Sequence, residues 1–366
     1  MNDDIGYWIS FSKINGLGPV KLYSIFKYFN NIKDAWNAEP EEFLNIDNIN
    51  QNNVEQIREA KLNINPIKEA ELLNKENIKA ITLVDEDYPF MLKQMHDPPF
   101  VLYYKGIFDK NRLNKCIGMV GTRKPSYSGK KTAYKISFEL AQNNITVVSG
   151  LALGVDTESH KGALKADNGY TIAVLGSGVD HIYPSSNKNL YYEIMEKGML
   201  ISEYPPETLP DSWRFPARNR IISGLSKGVV IVEAAEKSGA LITADFALEQ
   251  GKEVFAIPGD INNPMSKGPN NLIKQGASIV TDVNDIISNF NWKNNQKNID
   301  KKDNPDILSL TDSEKIIYMS MDDNPQHIDI LIDKIQLPLS EISSNLIMLE
   351  IKQLIKQLPG KLFVKV

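Results

Sequence analysis

The chain has 366 residues, of which 42% are hydrophobic and 24% are charged, and its net charge is −5. This composition is typical of a globular protein with two or three domains. The acidic balance excludes a protein that is basic over its whole surface, so any nucleic-acid site must be a local patch. A single cysteine, Cys116, excludes an internal disulfide and a multi-cysteine metal centre.

The location of the protein follows from two further absences. No apolar run approaches the length of about 18 residues that a membrane span needs. The first residues, MNDDIGYWIS, are acidic and lack the basic and apolar regions of a signal peptide. We therefore expect a cytoplasmic protein without membrane contact.

Residues 1–75 are predicted to form a helical domain, because apolar residues recur at i, i+3 and i+4 through 5–29 and 54–73. The sequence GLGP at 16–19 lies between two helical patterns. It resembles the hairpin of a helix-hairpin-helix or SAM-like unit, in which glycines let backbone amides approach a DNA phosphate. A tight connection between two helices explains the same residues equally well.

Residues 76–290 are predicted to form an extended Rossmann-like domain around a doubly wound parallel sheet. Short runs of Val, Ile and Leu, typical of strands buried on both faces, alternate with helical segments. The predicted strands lie near residues 117–121, 145–149, 171–175, 199–202, 228–232, 253–257 and 278–281, with one more at 79–84. Several of these strands end in glycine turns, where such sheets bind phosphates.

The C-terminal part is predicted to contain a polar linker over residues 291–305 and a winged-helix domain over 306–366. Helical runs at 313–321, 327–334 and 340–353 precede a hairpin with a Pro-Gly turn. The third run would be the recognition helix of a DNA-binding winged helix. It carries Glu341 and Glu350 but only Lys352 as a base, so we favour a protein-contact role.

The turn Gly121-Thr122-Arg123 follows the first predicted parallel strand. Gly121 permits close approach of the backbone to a ligand, and Arg123 can hold a phosphate through two parallel hydrogen bonds. The lysines that follow are more simply explained as solvated residues of a surface helix. A P-loop is excluded, because the Gly-Lys pair at 129–130 is followed by lysine rather than Ser or Thr.

Two further glycine turns follow strands. Ser149-Gly150 and Gly154 bracket the first of them, and backbone amides there could hold an anion. Gly176-Ser177 belongs to the second, which lacks the third glycine of a dinucleotide-binding fingerprint. Dinucleotide binding is therefore disfavoured.

Catalytic residues are not evident in the sequence. Asp156 is predicted to cap the helix that carries His160, and His160 is predicted to be a packing group. The four histidines form neither an HExxH motif nor a metal-spaced pair. The sequence thus predicts neither a metal nor a cofactor.

The hexapeptide FPARNR at 215–220 is the most distinctive segment of the chain. Aromatic stacking combined with guanidinium–phosphate contact is how single strands are held with little sequence preference. The alternative is an internal salt-bridge hub with Glu203 or Glu233. We expect Arg218 and Arg220 to be divided between these two roles.

The segment KSGALIT at 237–243 follows a predicted strand and opens a helix. Ser238 is predicted to be the helix cap, and Thr243 lies one turn further along. A helix start of this kind attracts anions through its free amides and its dipole.

Taken together, these segments resemble the DprA/Smf (DNA-processing protein A) family. The segments that carry the resemblance are GTR, SGLALGVDTESHKGAL, LGSGVDHIYPSSN, SEYPP, FPARNRIISGLS, EAAEKSGALITADFALEQGKEVFAIPG and GPNNLIKQGA. They cover about residues 80–290 in order, and the flanking helical and winged-helix domains are similar to the family's accessory domains.

The resemblance implies a non-catalytic protein that binds single-stranded DNA, forms homodimers and loads the RecA recombinase onto incoming strands during natural transformation. Arg123 would contact the DNA backbone, and the glycine turns would line the pocket. The residues expected to bind DNA are Gly121, Thr122, Arg123, Ser149, Gly150, Gly154, Gly176, Ser177, Lys188, Phe215, Arg218, Asn219, Arg220, Ser238, Gly239 and Thr243.

One position departs from the family pattern. Relatives often carry a basic residue just after a Tyr-Pro pair, and this chain has Ser185 there. Either Lys188 substitutes for that base, or this part of the site is weaker.

Two other functions compete with this expectation. The phosphate seats at 149–150 and 238–239 would also suit a nucleotide-processing Rossmann enzyme of the nucleoside-phosphate hydrolase type. A winged-helix transcription factor with a ligand-sensing core is the third hypothesis, and the acidic third helix argues against it.

Overall fold

A computed structural model describes residues 4–292, 310–322, 325–335, 337–352 and 354–365. These residues form two compact units. The larger includes residues 4–125 and 132–292, and the smaller includes residues 126–131 and the described residues from 310 onward. Within the described residues, no helix is both long and apolar enough to cross a bilayer.

The larger unit begins with a group of helices. They are α1 (Ile5–Ser12), α2 (Pro19–Phe29), α3 (Ile32–Asn37), α4 (Gln51–Asn63) and α5 (Pro66–Lys75). Proline occupies the first turn of α2 and α5, where its missing N–H costs nothing. Asn31 caps α3 by accepting hydrogen bonds from the amides of Lys33 and Asp34.

One sheet of nine strands forms the centre of the larger unit, in the order β1-β2-β6-β5-β4-β3-β7-β8-β9. The strands are β1 (Lys79–Thr82), β2 (Val101–Gly106), β3 (Cys116–Val120), β4 (Thr146–Ser149), β5 (Thr171–Val174), β6 (Met199–Ser202), β7 (Gly228–Ile231), β8 (Glu253–Ala256) and β9 (Ser278–Ile279).

The predicted parallel strands are confirmed, because β3 to β9 pair in parallel with one another. An additional strand, β2, was not predicted. It pairs antiparallel with both β1 and β6, so the sheet has one antiparallel edge. A short apolar run such as VLYY has no periodicity that distinguishes a strand from a connector.

The connections between strands create a switch point. From β3 the chain moves outward through β4, β5 and β6, and it returns at β7 on the other side of β3. Ligands of such sheets bind in the crevice at the carboxyl ends of the strands where the order reverses. Here that crevice lies beyond Val120 and Ile231, the last residues of β3 and β7.

Helices cover both faces of the sheet. They are α6 (Phe90–Lys93), α7 (Tyr127–Gln142), α8 (Val155–Lys165), α9 (Lys188–Lys197), α10 (Arg214–Leu225), α11 (Gly239–Glu249), α12 (Lys267–Lys274) and α13 (Val283–Asn289). One buried cluster joins α7, α8 and α13 to β3, and another joins α10 and α11 to β6 and β7.

The N-terminal helices share their core with the sheet. Trp8 and Phe43 are buried in a cluster that also contains Tyr103 of β2 and Leu200 of β6. The predicted domain boundary at residue 75 remains a prediction, as does a DNA-binding role for the hairpin at 16–19.

The described residues of the smaller unit form three helices and a small sheet. They are α14 (Asp312–Ser320), α15 (Ile328–Lys334), α16 (Leu339–Ile351), β10 (Gln326–His327), β11 (Ile355–Leu358) and β12 (Leu362–Lys365), with sheet order β10-β12-β11. Ile317, Leu331 and Leu346 are buried in its core. Beyond residue 292, the predicted linker at 291–305 lies outside the described residues.

Candidate nucleic-acid interface

The turn after β3 is held rigidly between β7 and α8. The amide of Thr122 donates to the Glu233 carbonyl at 2.7 Å, and the amide of Val155 donates to the Thr122 carbonyl at 3.2 Å. A Cβ at Gly121 would lie 2.6 Å from Val155 and 2.9 Å from the Glu233 carbonyl oxygen, so a side chain does not fit. This packing leaves Arg123 exposed at the carboxyl edge of the sheet.

Gly154 packs against the backbone of the same turn. Its φ is +84°, a conformation that favours glycine, and a Cβ there would lie 2.4 Å from the Thr122 carbonyl oxygen. Gly154 therefore positions the Thr122-Arg123 backbone without lining the cavity described below.

In the turn after β4, backbone amides bind the carboxylate of Asp156 from the same chain. Oδ2 of Asp156 accepts hydrogen bonds from the amides of Gly150 and Ala152, at 3.1 and 3.2 Å. The prediction that Asp156 caps α8 is wrong, because the helix begins after Gly154 and the carboxylate points back into the preceding loop. These two amides are not free for a ligand anion, contrary to the expectation for this turn.

Burial and a nearby positive charge shift the pKa of the Asp156 carboxyl group in opposite directions. Desolvation raises the pKa of Asp156, and the charge of Arg218 opposes that rise. Ser149 is also turned inward, since its hydroxyl donates to the Met119 carbonyl at 2.6 Å. The polar groups of residues 149–156 therefore bond mainly to other groups of the protein. We call these residues the closed turn.

Arg218 links the ends of β4 and β5. Its Nη1 donates to the Gly150 carbonyl at 2.7 Å and to the Val174 carbonyl. Burial lowers the pKa of Arg218 to about 10, and the nearby Arg123 contributes to the decrease. The guanidinium is buried but still lines the cavity wall.

Arg220 has a different environment. Its guanidinium pairs with Glu203, and Nε lies 3.3 Å from Oδ2 of Asp97. Burial raises the pKa of Glu203, and Arg220 counteracts this. Arg220 does not line the cavity, so the structure favours the salt-bridge alternative for this residue.

An aromatic wall lies beside the turn after β5. The rings of Tyr183 and Phe215 stack with centroids 5.2 Å apart and an interplanar angle of 22°. A Cβ at Gly176 would lie 2.8 Å from Phe215, so glycine lets this ring approach the strand end. The Arg123 guanidinium lies 5.7 Å from the Phe215 ring.

The start of α11 is open to solvent. The Ser238 hydroxyl accepts a hydrogen bond from the Ala240 amide at 3.3 Å, which confirms the predicted cap. A Cβ at Gly239 would have no atom of a described residue within 4 Å. Thr243 is 1% exposed, and its hydroxyl has no hydrogen-bond partner among the described residues. We call residues 237–243 the open turn.

These elements surround a cavity of about 850 Å³ at the switch point of the sheet. The predicted DNA-binding residues that line it are Gly121, Thr122, Arg123, Phe215, Arg218, Asn219, Ser238, Gly239 and Thr243. An adjoining pocket of about 50 Å³ is lined by Gly150, Gly176 and Ser177, and shares Arg123, Tyr183, Phe215 and Arg218 with the larger cavity. Ser149, Gly154, Lys188 and Arg220 line neither.

Three exposed cations reach the cavity. Arg123, Lys124 and Lys237 line it, and within the described residues none of them pairs with a carboxylate. The sequence predicts Lys124 to lie on a solvated helix face, and neither Lys237 nor Tyr183 is among the predicted DNA-binding residues. Lys237 directly precedes the Ser238 helix cap, and this position is the feature of the sequence that indicates a cation at the anion-binding end of α11.

Lys188 lies at the start of α9 and is exposed. The adjacent Asn187 anchors this segment by donating to the Leu151 carbonyl and to the Thr157 hydroxyl, both at 2.9 Å. Whether Lys188 compensates for Ser185 remains a prediction.

The cavity offers few groups for proton transfer. Among the described residues that line it there is no His, Cys or Glu. Its two carboxylates are already engaged, because Asp156 holds the closed turn and Asp211 accepts the Trp213 indole N–H at 2.9 Å. His160 is buried beside Thr171 at 2.8 Å, and burial lowers the pKa of this imidazole to about 3.

Comparison with known proteins identifies both units. Residues 79–291 match the family model for DNA recombination-mediator protein A, and residues 301–361 match the DprA winged helix domain. The second match confirms the predicted winged helix.

Curated relatives agree with these matches. Protein Smf of Synechocystis sp. is 34% identical over 98% of this chain and 98% of its own length. DNA processing protein DprA of Bacillus subtilis is 45% identical over 60% of this chain and 74% of its own length.

Two solved structures are similar in fold. DprA from Streptococcus pneumoniae has a TM-score of 0.68 and 35% identity, covering 77% of this chain and 97% of the relative. DNA processing protein A from Helicobacter pylori, whose structure is described for its single-stranded DNA binding mode, has a TM-score of 0.52 and 32% identity. That alignment covers 58% of this chain and 95% of the relative. The chain therefore belongs to the DNA recombination-mediator protein A family, also called DprA or Smf.

Proposed function

We propose that this chain binds single-stranded DNA in the cavity at the switch point of the sheet. As a cytoplasmic homodimer, it would load the RecA recombinase onto incoming strands during natural transformation. The observation that carries the proposal is the group of exposed cations, Arg123, Lys124 and Lys237, around a cavity with a stacked aromatic wall. Family membership supports it, as does the single-stranded DNA binding described for the Helicobacter pylori relative.

The chemistry of the cavity suits an unpaired strand. Cations on two separate turns can neutralise successive phosphates, and the Tyr183–Phe215 stack offers ring faces to bases. Only a base that is not stacked in a duplex can reach such a face. Because the net charge of the chain is −5, this patch is a local exception on an acidic protein.

The same cavity favours binding over catalysis. Both of its carboxylates accept hydrogen bonds from neighbouring residues, and among the described residues that line it there is no His, Cys or Glu. Incubation with a panel of nucleotides followed by product chromatography tests this point. Unchanged nucleotides are expected, and release of a base or a phosphate would contradict the proposal.

The winged helix is proposed to contact protein rather than DNA. In α16 the acidic residues Glu341 and Glu350 repel phosphate, and Lys352 is paired with Glu314 at 2.8 Å. Substitution of Lys356 and Lys361, the exposed lysines of the hairpin, by alanine should leave duplex and single-strand affinity within about twofold. A larger loss would assign DNA contact to this domain.

Electrophoretic mobility shift with single- and double-stranded oligonucleotides at several salt concentrations tests DNA binding. We expect preferential, salt-sensitive binding of single strands. Arg123→Ala should weaken it about 10- to 100-fold, since a charge-assisted hydrogen bond contributes about 1.5–3 kcal/mol. Arg58→Ala, at an exposed ion pair in α4, is the matched control. Absence of binding at low salt would overturn the proposal.

Recombinase loading needs a separate measurement. A strand-exchange assay with the host recombinase should show stimulation by the wild-type protein and little stimulation by Arg123→Ala. Analytical ultracentrifugation tests the proposed homodimer. Stimulation that is unchanged by Arg123→Ala would separate recombinase loading from this cavity.

A further inference from the structure

Trp213 is a large aromatic side chain held in an exposed position. It is 58% exposed, whereas Trp8 and Trp36 are buried and Trp292 is half-buried. Its indole N–H donates to Oδ2 of Asp211 at 2.9 Å, so the orientation of the ring is fixed from two residues away. An exposed indole lacks the stabilisation that burial of its apolar surface would provide. Because this indole is also fixed in orientation, it lacks the rotational freedom of an ordinary exposed side chain.

The neighbourhood of Trp213 reinforces this orientation. The Arg214 guanidinium lies 4.9 Å from the Trp213 ring and 5.3 Å from the Tyr204 ring. Arg214 also donates to the Leu209 carbonyl, and Tyr204 meets Trp213 edge-on at 6.3 Å. The indole is therefore ordered before any ligand arrives, which reduces the entropy lost on stacking.

The position of Trp213 connects it with the cavity. Asp211, Ser212 and Phe215, on either side of it in the chain, line the cavity, and Trp213 itself stands outside the lining. A strand whose phosphates follow the cations of the cavity would therefore pass close to the indole. The nearby Arg214 guanidinium adds positive charge suited to a phosphodiester chain.

We propose that Trp213 is a stacking platform for a nucleobase of single-stranded DNA, outside the cavity that holds Arg123 and Phe215. The inference rests on the proposed function and extends its binding site by at least one nucleotide. Stacking on an indole tolerates any base, because every base has a π face. The Arg214 guanidinium beside the ring and the cations of the neighbouring cavity favour a nucleic acid over an apolar protein segment as the occupant.

Fluorescence anisotropy with labelled oligonucleotides of increasing length tests the platform. Alanine substitution of a stacking aromatic weakens binding about 5- to 100-fold per base. We expect Trp213→Ala to lose affinity within that range for long oligonucleotides and to bind the shortest oligonucleotides as the wild type does. Trp213→Phe should stay within about threefold of the wild type, because a phenyl ring still stacks. Trp292→Phe is the matched control and should have no effect.

Abasic DNA separates stacking from other roles of the side chain. On oligonucleotides without bases, Trp213→Ala should cost nothing, because there is no base to stack. Saturating single-stranded DNA should also quench tryptophan emission in the wild type and in Trp292→Phe, but much less in Trp213→Phe.

Two failures are distinguishable. If the wild type binds no single-stranded DNA, the proposed function fails. If binding depends on Arg123 but Trp213→Ala matches the wild type at every length, the platform is wrong. An equal penalty for Trp213→Ala on normal and abasic strands would also overturn it.

Discussion

The closed turn and the open turn occupy the same edge of the sheet and have similar sequences, but only one is available to a ligand. In the closed turn, the amides of Gly150 and Ala152 are bonded to Asp156. In the open turn, Gly239 is exposed, and no described residue lies within 4 Å of a Cβ placed there. The closed turn thus already binds an anion, the Asp156 carboxylate of its own chain.

The largest expected effect is on the closed turn. Asp156→Ala removes the acceptor of two backbone amides and the negative charge near the buried Arg218, so the free energy of unfolding should fall by about 3 kcal/mol. Urea denaturation measures the change. Asp245→Ala, at an exposed carboxylate of α11, should change stability by less than about 0.5 kcal/mol. Equal effects of the two substitutions would show that Asp156 does not hold the closed turn.

The buried surroundings of the closed turn also predict a pH dependence. His160 has a pKa of about 3 in the folded protein and about 6.5 when unfolded. Between these values the unfolded state binds the extra proton. The contribution of His160 to stability should therefore fall as the pH is lowered from 6.5 towards 3, by at most about 1.4 kcal/mol per pH unit.

Urea denaturation of His160→Asn across this range should show a shallower decline than that of the wild type. His96→Asn, at an exposed histidine, should follow the wild type. Identical slopes for wild type and His160→Asn would mean that His160 is protonated in the folded protein.

Two substitutions of Ser238 in the open turn should affect protein stability and DNA binding differently. Ser238→Ala removes the cap of α11, which should lower the free energy of unfolding by about 1 kcal/mol. Ser238→Asp keeps a capping oxygen but places a negative charge where a phosphate is proposed to bind. Denaturation and DNA titration should show normal stability with weakened binding for this variant. Binding as tight as that of the wild type would exclude a phosphate here.

The smallest effect is expected at Thr243. Thr243→Val replaces by a methyl group a hydroxyl that has no hydrogen-bond partner in the described part of the chain, so stability should change by less than about 0.5 kcal/mol. Single-strand affinity should fall about 2- to 10-fold if the hydroxyl bonds the ligand. Anisotropy titration measures the loss, and an unchanged affinity would show that the Thr243 hydroxyl does not bond the strand.

The fold could be predicted because its signals are local. Parallel strands buried on both faces are runs of Val and Ile between turns, and β3 to β8 follow this pattern. The strand β2 was missed because its pairing with β6 joins residues about a hundred positions apart, which no local pattern records.

The candidate site could be predicted only in part. The turns at Gly121, Gly176 and Gly239 lie where the sequence placed them, at strand ends or at a helix start. The contribution of Tyr183 was missed, because its stacking on Phe215 joins two segments that are far apart in the chain.

By itself, the sequence determined the order of strands and helices, the family, and the presence of cations beside glycine turns. The tertiary structure decided which polar groups are free. Arg218 and Arg220 are two positions apart on α10, so they point about 200° apart around the helix axis. One therefore links β4 to β5 beneath the cavity, and the other pairs with Glu203 away from it. Hydrogen-bond partners are chosen by proximity in space, which local sequence patterns do not encode.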